Sequence, residues 1–180
     1  MKIRKKDAIC DYASLAANKE INAELVGSSD RVAGIVAATI LDIHLGRLLS
    51  LFFIDDKKEV DPLLSSDIQS APLSSFSSRA RAAYCLGLVS KEEFQDISTI
   101  REIRNICAHH LFECDFEFPA IKSACDSFKI FSYLVEFPAA APSRTKFNLA
   151  VCVLDSLLEA RGKMLVRRSP AAPFQKGKSA

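Results

Sequence analysis

The run Arg104-Asn105-Ile106-Cys107-Ala108-His109 holds the side chains best suited to chemistry in this sequence. A histidine can move a proton to or from a reacting oxygen, and an arginine can stabilise the charge that gathers on a phosphate. On a continuous helix Asn105 and His109, four apart, share a face, whereas Arg104 lies about 140° round from His109 and must bend to reach it. The same residues also have a structural use. Near a helix C-terminus, arginine and histidine can satisfy the last carbonyls and the helix dipole. Arg104 can also pair with Asp42, a lone carboxylate in an apolar stretch and costly to bury without a partner. Asp42, Arg104, Asn105 and His109 therefore form the candidate polar cluster. A catalytic reading confines the work to Arg104, Asn105 and His109, and the structural reading assigns no catalytic residue.

Other reactive side chains form weaker patterns. Cys107, His109, His110 and Cys114 offer soft metal ligands, but their spacing is not that of a familiar zinc unit, so no metal and no cofactor is assigned. Six cysteines without a Cys-x-x-Cys unit, mostly at apolar helical positions, read as reduced, buried thiols. The hydroxyls of Ser74, Ser75, Ser77 and Ser78 have no base nearby in sequence and suit a helix cap. Phe112, Phe116 and Phe118 either close the core or form an apolar patch for a dimer or partner.

Charge is unevenly spread. Lys2, Arg4, Lys5 and Lys6 at one end, and Arg161, Lys163, Arg167, Arg168, Lys176 and Lys178 at the other, are ten of the 24 basic groups; no acid lies in residues 2–6 or 161–180. The other 14 face 22 acids, so residues 7–160 carry about eight negative charges. Such a body repels phosphates, and only the tails, through Lys2, Arg4, Lys5, Lys6, Arg167, Arg168, Lys176 and Lys178, suit nucleic acid. Tails that simply aid solubility are the alternative reading. The apolar run 32–41 is too short for a membrane span, and the charged N-terminus leads into no secretory segment, so a cytoplasmic protein is expected.

The apolar spacing is helical throughout and predicts an all-α bundle of about five to six helices with basic, flexible termini. The predicted helices cover 7–25, with Ile9, Tyr12, Leu15 and Ala16 on one side, then 30–54, 74–87, 91–108, 119–135 and 143–166. Asp30 is the expected N-cap of the second, which carries two apolar stripes, Val32/Val36/Ile40/Ile43 and Leu41/Leu45/Leu48/Phe52. Residues 55–71 read as a long surface loop. Gly87 suits a left-handed helix end, and Ser90 with Glu93 forms a capping box. The expected organisation is a basic segment and helix over 1–27, one domain over 28–166 and a disordered basic tail over 167–180. No segment shows a helix-turn-helix with a basic reading helix.

Three stretches carry a family resemblance: Asp30 to Asp42, Pro72 to Phe94, and Ile100 to His109, with Phe147, Ala150 and Val151 fitting the same pattern. Over roughly 28–160 the chain resembles the mannitol operon repressor family. Arg104-Asn105-x-x-x-His109 also matches the Arg-Asn-x-x-x-His signature of the HEPN superfamily, whose helical bundle the fold is expected to resemble. The first resemblance implies a non-enzymatic transcriptional regulator acting through an unidentified protein partner, or else through an unusual mode of DNA contact. The second implies the alternative, a metal-independent endoribonuclease in which His109 handles the ribose 2′-hydroxyl proton and Arg104 the phosphate charge. Homodimers are common in that superfamily, and a homodimer is expected here.

Overall fold

In the computed structural model, residues 19–65, 71–109, 114–133 and 140–171 are described. They form seven α-helices and one short 3-10 turn, with no strand among them. In chain order these are α1 (Lys19–Gly27), α2 (Asp30–Phe52), α3 (Lys57–Leu64), α4 (Phe76–Cys85), α5 (Lys91–His109), α6 (Pro119–Asp126), the 3-10 turn (Ile130–Tyr133) and α7 (Ser143–Met164). The all-α expectation holds. The part of the first predicted helix that precedes residue 19, with Ile9, Tyr12, Leu15 and Ala16, lies outside the described residues.

Helix α2 is the axis of the bundle and packs most extensively against α7, then α5 and α4. Leu41, Leu45, Leu48 and Leu49 are buried along one side, each contributing roughly 2 kcal/mol by leaving water. Toward its N-terminus the buried positions are small, Ala33, Gly34, Ala37 and Ala38, so α5 can approach closely. A Cβ on Gly34 would lie 2.7 Å from Cys107 Sγ, which makes glycine a steric requirement there. Over Phe147–Asp155, α7 is buried at every position, as befits a helix with neighbours on several sides.

By length and composition α2 could cross a membrane, since an 18-residue window of it reaches a mean hydropathy of 1.7. Here it serves as a core helix. Three other helices cover its leucines, and its polar residues Asp42 and His44 pair with residues of α4 and α7. Its two apolar stripes nevertheless have different fates. The leucine stripe is buried, whereas Val32 and Ile43 of the other stripe are 42% and 46% exposed, as is Ile35 beside them at 38%.

Several local expectations hold. Ser90 N donates to Glu93 Oε2 at 2.6 Å and Glu93 N to Ser90 Oγ at 3.2 Å, the reciprocal capping box that starts α5. Gly87, at φ 72°, turns the chain after α4. Ser75 caps α4 in a second box with Ser78.

Four details differ. Ser29, not Asp30, caps α2, which leaves the Asp30 carboxylate for longer-range bonds. Residues 55–71 are not all loop, because α3 forms around the buried Val60 despite Pro62. Helix α6 stops at Asp126, and the chain continues as the 3-10 turn. Arg167 and Arg168, expected in a disordered tail, are tied down. Arg167 pairs with Asp55, the Arg168 carbonyl accepts from Asp55 N at 3.0 Å, and the Arg168 guanidinium lies 4.1 Å from the Phe52 ring centroid.

Candidate functional site

The Arg-Asn-x-x-x-His turn forms the end of α5. Arg104 and Asn105 are half-buried, and His109, the last helical residue, is exposed. Neither the Arg104 nor the His109 side chain makes a hydrogen bond or ion pair among the described residues. The helix-end carbonyl they were expected to serve is taken by another group, since Arg31 Nη1 donates to Cys107 O at 2.5 Å. Among the described residues no base, acid or second cation is held against His109, and none of them fixes its imidazole as a catalytic imidazole is fixed.

Asp42 does not pair with Arg104. Its partner is Arg79 on α4, with Nη1 at 2.8 Å from Asp42 Oδ1. Arg79 Nε also donates to Leu73 O at 2.9 Å and Nη2 to Leu64 O at 2.6 Å. One planar guanidinium thus joins α2, the end of α3 and the lead-in to α4, a geometry with several donors that only arginine offers.

The expectation of reduced thiols is corrected at one pair. Cys107 and Cys114 form a disulfide, because the chain after α5 returns with their Cα atoms 4.8 Å apart, within the span of such a bond. With both sulfurs bonded to each other, this segment presents no thiolate to a metal. Among the described residues no group of three or more His, Cys, Asp or Glu side chains is placed to hold an ion. Cys125 and Cys152 are buried thiols, pushed up by burial to about 12 and about 11, which leaves them unreactive. Cys85 is a free, exposed thiol.

Other polar residues join helices in ways that sequence spacing did not reveal. Asp30 accepts from Phe116 N at 3.0 Å and pairs with Arg144 of α7. Arg144 also donates to Ser28 O at 3.0 Å and lies 5.0 Å from the Phe116 ring centroid, and that ring packs on Phe147. Phe116 therefore closes the core, and Phe118 is partly buried against it; Phe112 lies outside the described residues. Asp96, buried on α5, accepts from Lys129 N and Ile130 N, each at 2.8 Å, and so caps the 3-10 turn. Burial raises its carboxyl above the ordinary value, and those two bonds partly offset the rise. Arg161 holds Glu93 at 2.6 Å.

Among the described residues, two clefts bear on a site. The larger, about 390 Å³, lies between the C-terminal halves of α2 and α7 and includes His44, Arg47 and Lys163. The smaller, about 40 Å³, lies between α4 and α5 beside Arg81 and Arg101. Of the basic tail positions, Lys2, Arg4, Lys5, Lys6, Lys176 and Lys178 lie outside the described residues.

Fold and site together define an all-helical bundle in which several buried or half-buried polar side chains connect one helix to another. The sequence pattern of the mannitol repressor family matches residues 24–169, and the chain belongs to that family. In three dimensions it is similar to a chain of the X-ray structure of the MtlR–HPr complex from Escherichia coli. The TM-score is 0.64 at 22% identity, covering 78% of this chain and 96% of that one. Among proteins of curated function, none matches the chain in sequence.

Proposed function

We propose that this protein is a non-enzymatic regulator of the mannitol-repressor kind that acts by binding a partner protein through the bare face of α2. The observation that carries the reading is that apolar row. Val32, Ile35, Thr39 and Ile43 follow one another at helical spacing, all exposed, with Val36 and Ile40 half-buried beside them. From Val32 to Ile43 the row is about 16 Å long, enough to form the centre of a standard patch of about 800 Å² per partner. Arg31 and Arg47 stand just beyond its two ends as a polar rim.

Family membership supports a regulatory role, and the similar Escherichia coli chain is seen in complex with HPr, which makes an HPr protein the first partner to try. The RNA-cleaving alternative gains no support from the arrangement of Arg104, Asn105 and His109. Calorimetric titration with the HPr of the same cell tests the proposal, using wild type and an Ile35→Glu/Ile43→Glu variant. Saturable binding by wild type that the folded variant loses is expected. No binding, or equal binding by both, overturns it. Sedimentation of the protein alone shows whether a second copy occupies the face instead, which would also overturn it.

A further inference from the structure

We infer that the cleft between α2 and α7 is a binding site for a small organic phosphate, a role that shares only Arg47 with the partner-binding reading and does not rest on it. Three observations converge there. First, Asp155 of α7 is wholly buried, and its Oδ1 lies 2.5 Å from His44 Nδ1. The approach lacks the alignment of a linear hydrogen bond, so it is a close polar contact that fixes the ring. A buried His–Asp pair is a poor way to gain stability, because leucines of similar volume would serve as well or better. What it does supply is a fixed imidazole, 18% exposed at the cleft wall, with Nε2 turned away from the carboxylate toward Arg47.

Second, two cations converge from opposite helices with weak commitments elsewhere. Among the described residues, Arg47 Nη1 has only a long 3.4 Å contact, to His44 Nε2. Lys163 Nζ is held by Glu159, one turn back on α7, at 2.8 Å, and both side chains are more than half exposed. Such surface pairs contribute little and are readily exchanged. A phosphate monoester matches this set. Its tetrahedral oxygens can accept from the Arg47 fork and from the Lys163 ammonium, beside the His44 ring. Asp155 is engaged with the ring, and Glu159, the other carboxylate at the cleft, is paired with Lys163, so the phosphate has to displace it.

Third, the cleft has an apolar wall and the right size. Leu48, Leu51 and Leu158 line it, and about 390 Å³ falls within the range of small-ligand pockets, roughly 300–1,000 Å³. Gly162 helps shape it, because a Cβ there would lie 3.3 Å from Leu51 Cδ1 and push that side chain. The cations select the phosphate, and the leucines take the carbon body attached to it.

Phenyl phosphate, inorganic phosphate and benzyl alcohol serve as probes, followed by calorimetry and by thermal unfolding of the full chain. Phenyl phosphate is expected to bind in the millimolar range or tighter, to raise the unfolding temperature, and to bind more tightly than either fragment. Arg47→Gln and Lys163→Gln, both at the open rim, should each weaken it about tenfold while leaving the unliganded unfolding temperature unchanged. Arg81→Gln, in the other cleft, should have no effect. Absence of phenyl phosphate binding overturns the inference, as does binding that neither rim variant weakens. Equal affinity for inorganic and phenyl phosphate also overturns it, since the leucine wall would then contribute nothing.

Discussion

Arg79 Nη1 stands 2.8 Å from Asp42 Oδ1, so the aspartate in the middle of the central helix is held by α4 rather than by the arginine of the Arg-Asn-x-x-x-His turn. The same guanidinium serves the carbonyls of Leu64 and Leu73. Arg79→Met should therefore leave a carboxylate and two carbonyls under-satisfied and cost about 3 kcal/mol in urea unfolding. Arg79→Lys should recover little, because one ammonium cannot reach all three acceptors in the plane that arginine fills. Near-complete recovery by lysine would show that charge alone matters.

His109 is exposed and Arg104 makes no ion pair among the described residues, so Arg104→Ala and His109→Ala should each change stability by no more than about 0.5 kcal/mol. Incubation of the wild type with mixed RNAs in chelator should leave them intact. Cleavage that disappears in His109→Ala would instead establish the nuclease reading.

Alanine normally stabilises a helix relative to glycine by about 1 kcal/mol. Gly34→Ala should do the reverse and destabilise by about 1–3 kcal/mol, because its Cβ meets Cys107 Sγ at 2.7 Å and the disulfide to Cys114 limits how far that sulfur can retreat. In a Cys107→Ala/Cys114→Ala background the penalty should shrink. The disulfide itself closes a short loop, and its reduction should cost about 2 kcal/mol, read as a lower denaturant midpoint in dithiothreitol.

Asp96→Asn should weaken the bundle by about 1–3 kcal/mol, since the Lys129 and Ile130 N–H groups face different carboxylate oxygens and the amide turns an NH2 donor toward one of them. The carboxyl value is raised in the folded chain, so folding disfavours the ionised form. Stability from this group therefore rises as the pH falls through the raised value toward the ordinary one. The advantage of wild type over Asp96→Asn should accordingly be larger in acid than at neutral pH, as measured by unfolding at several pH values.

Much of the fold was legible because helices leave local marks. The leucine stripe of α2, the Ser90/Glu93 box and the turn at Gly87 are all written within a few residues of one another, and each stands where sequence reading put it. Helix α3 escaped because Pro62 and its charged neighbours resemble a loop, and only Val60 marks its buried side. The polar pairs escaped for a different reason. Asp42 with Arg79, Asp30 with Arg144, and His44 with Asp155 join residues far apart in sequence, and spacing along one helix says nothing about which distant side chain will face it. The second stripe of α2 was legible as apolar, but whether a neighbour covers it depends on how the other helices are distributed around the axis.

That uncovered stripe carries the functional account, and side-chain footprinting with hydroxyl radicals tests it most directly. In the free protein Val32, Ile35 and Ile43 should be oxidised readily, as their exposure requires. With saturating HPr all three should lose most of that reactivity. If they react as fast in the complex as in the free chain, the partner sits elsewhere and the proposed working face of α2 is wrong.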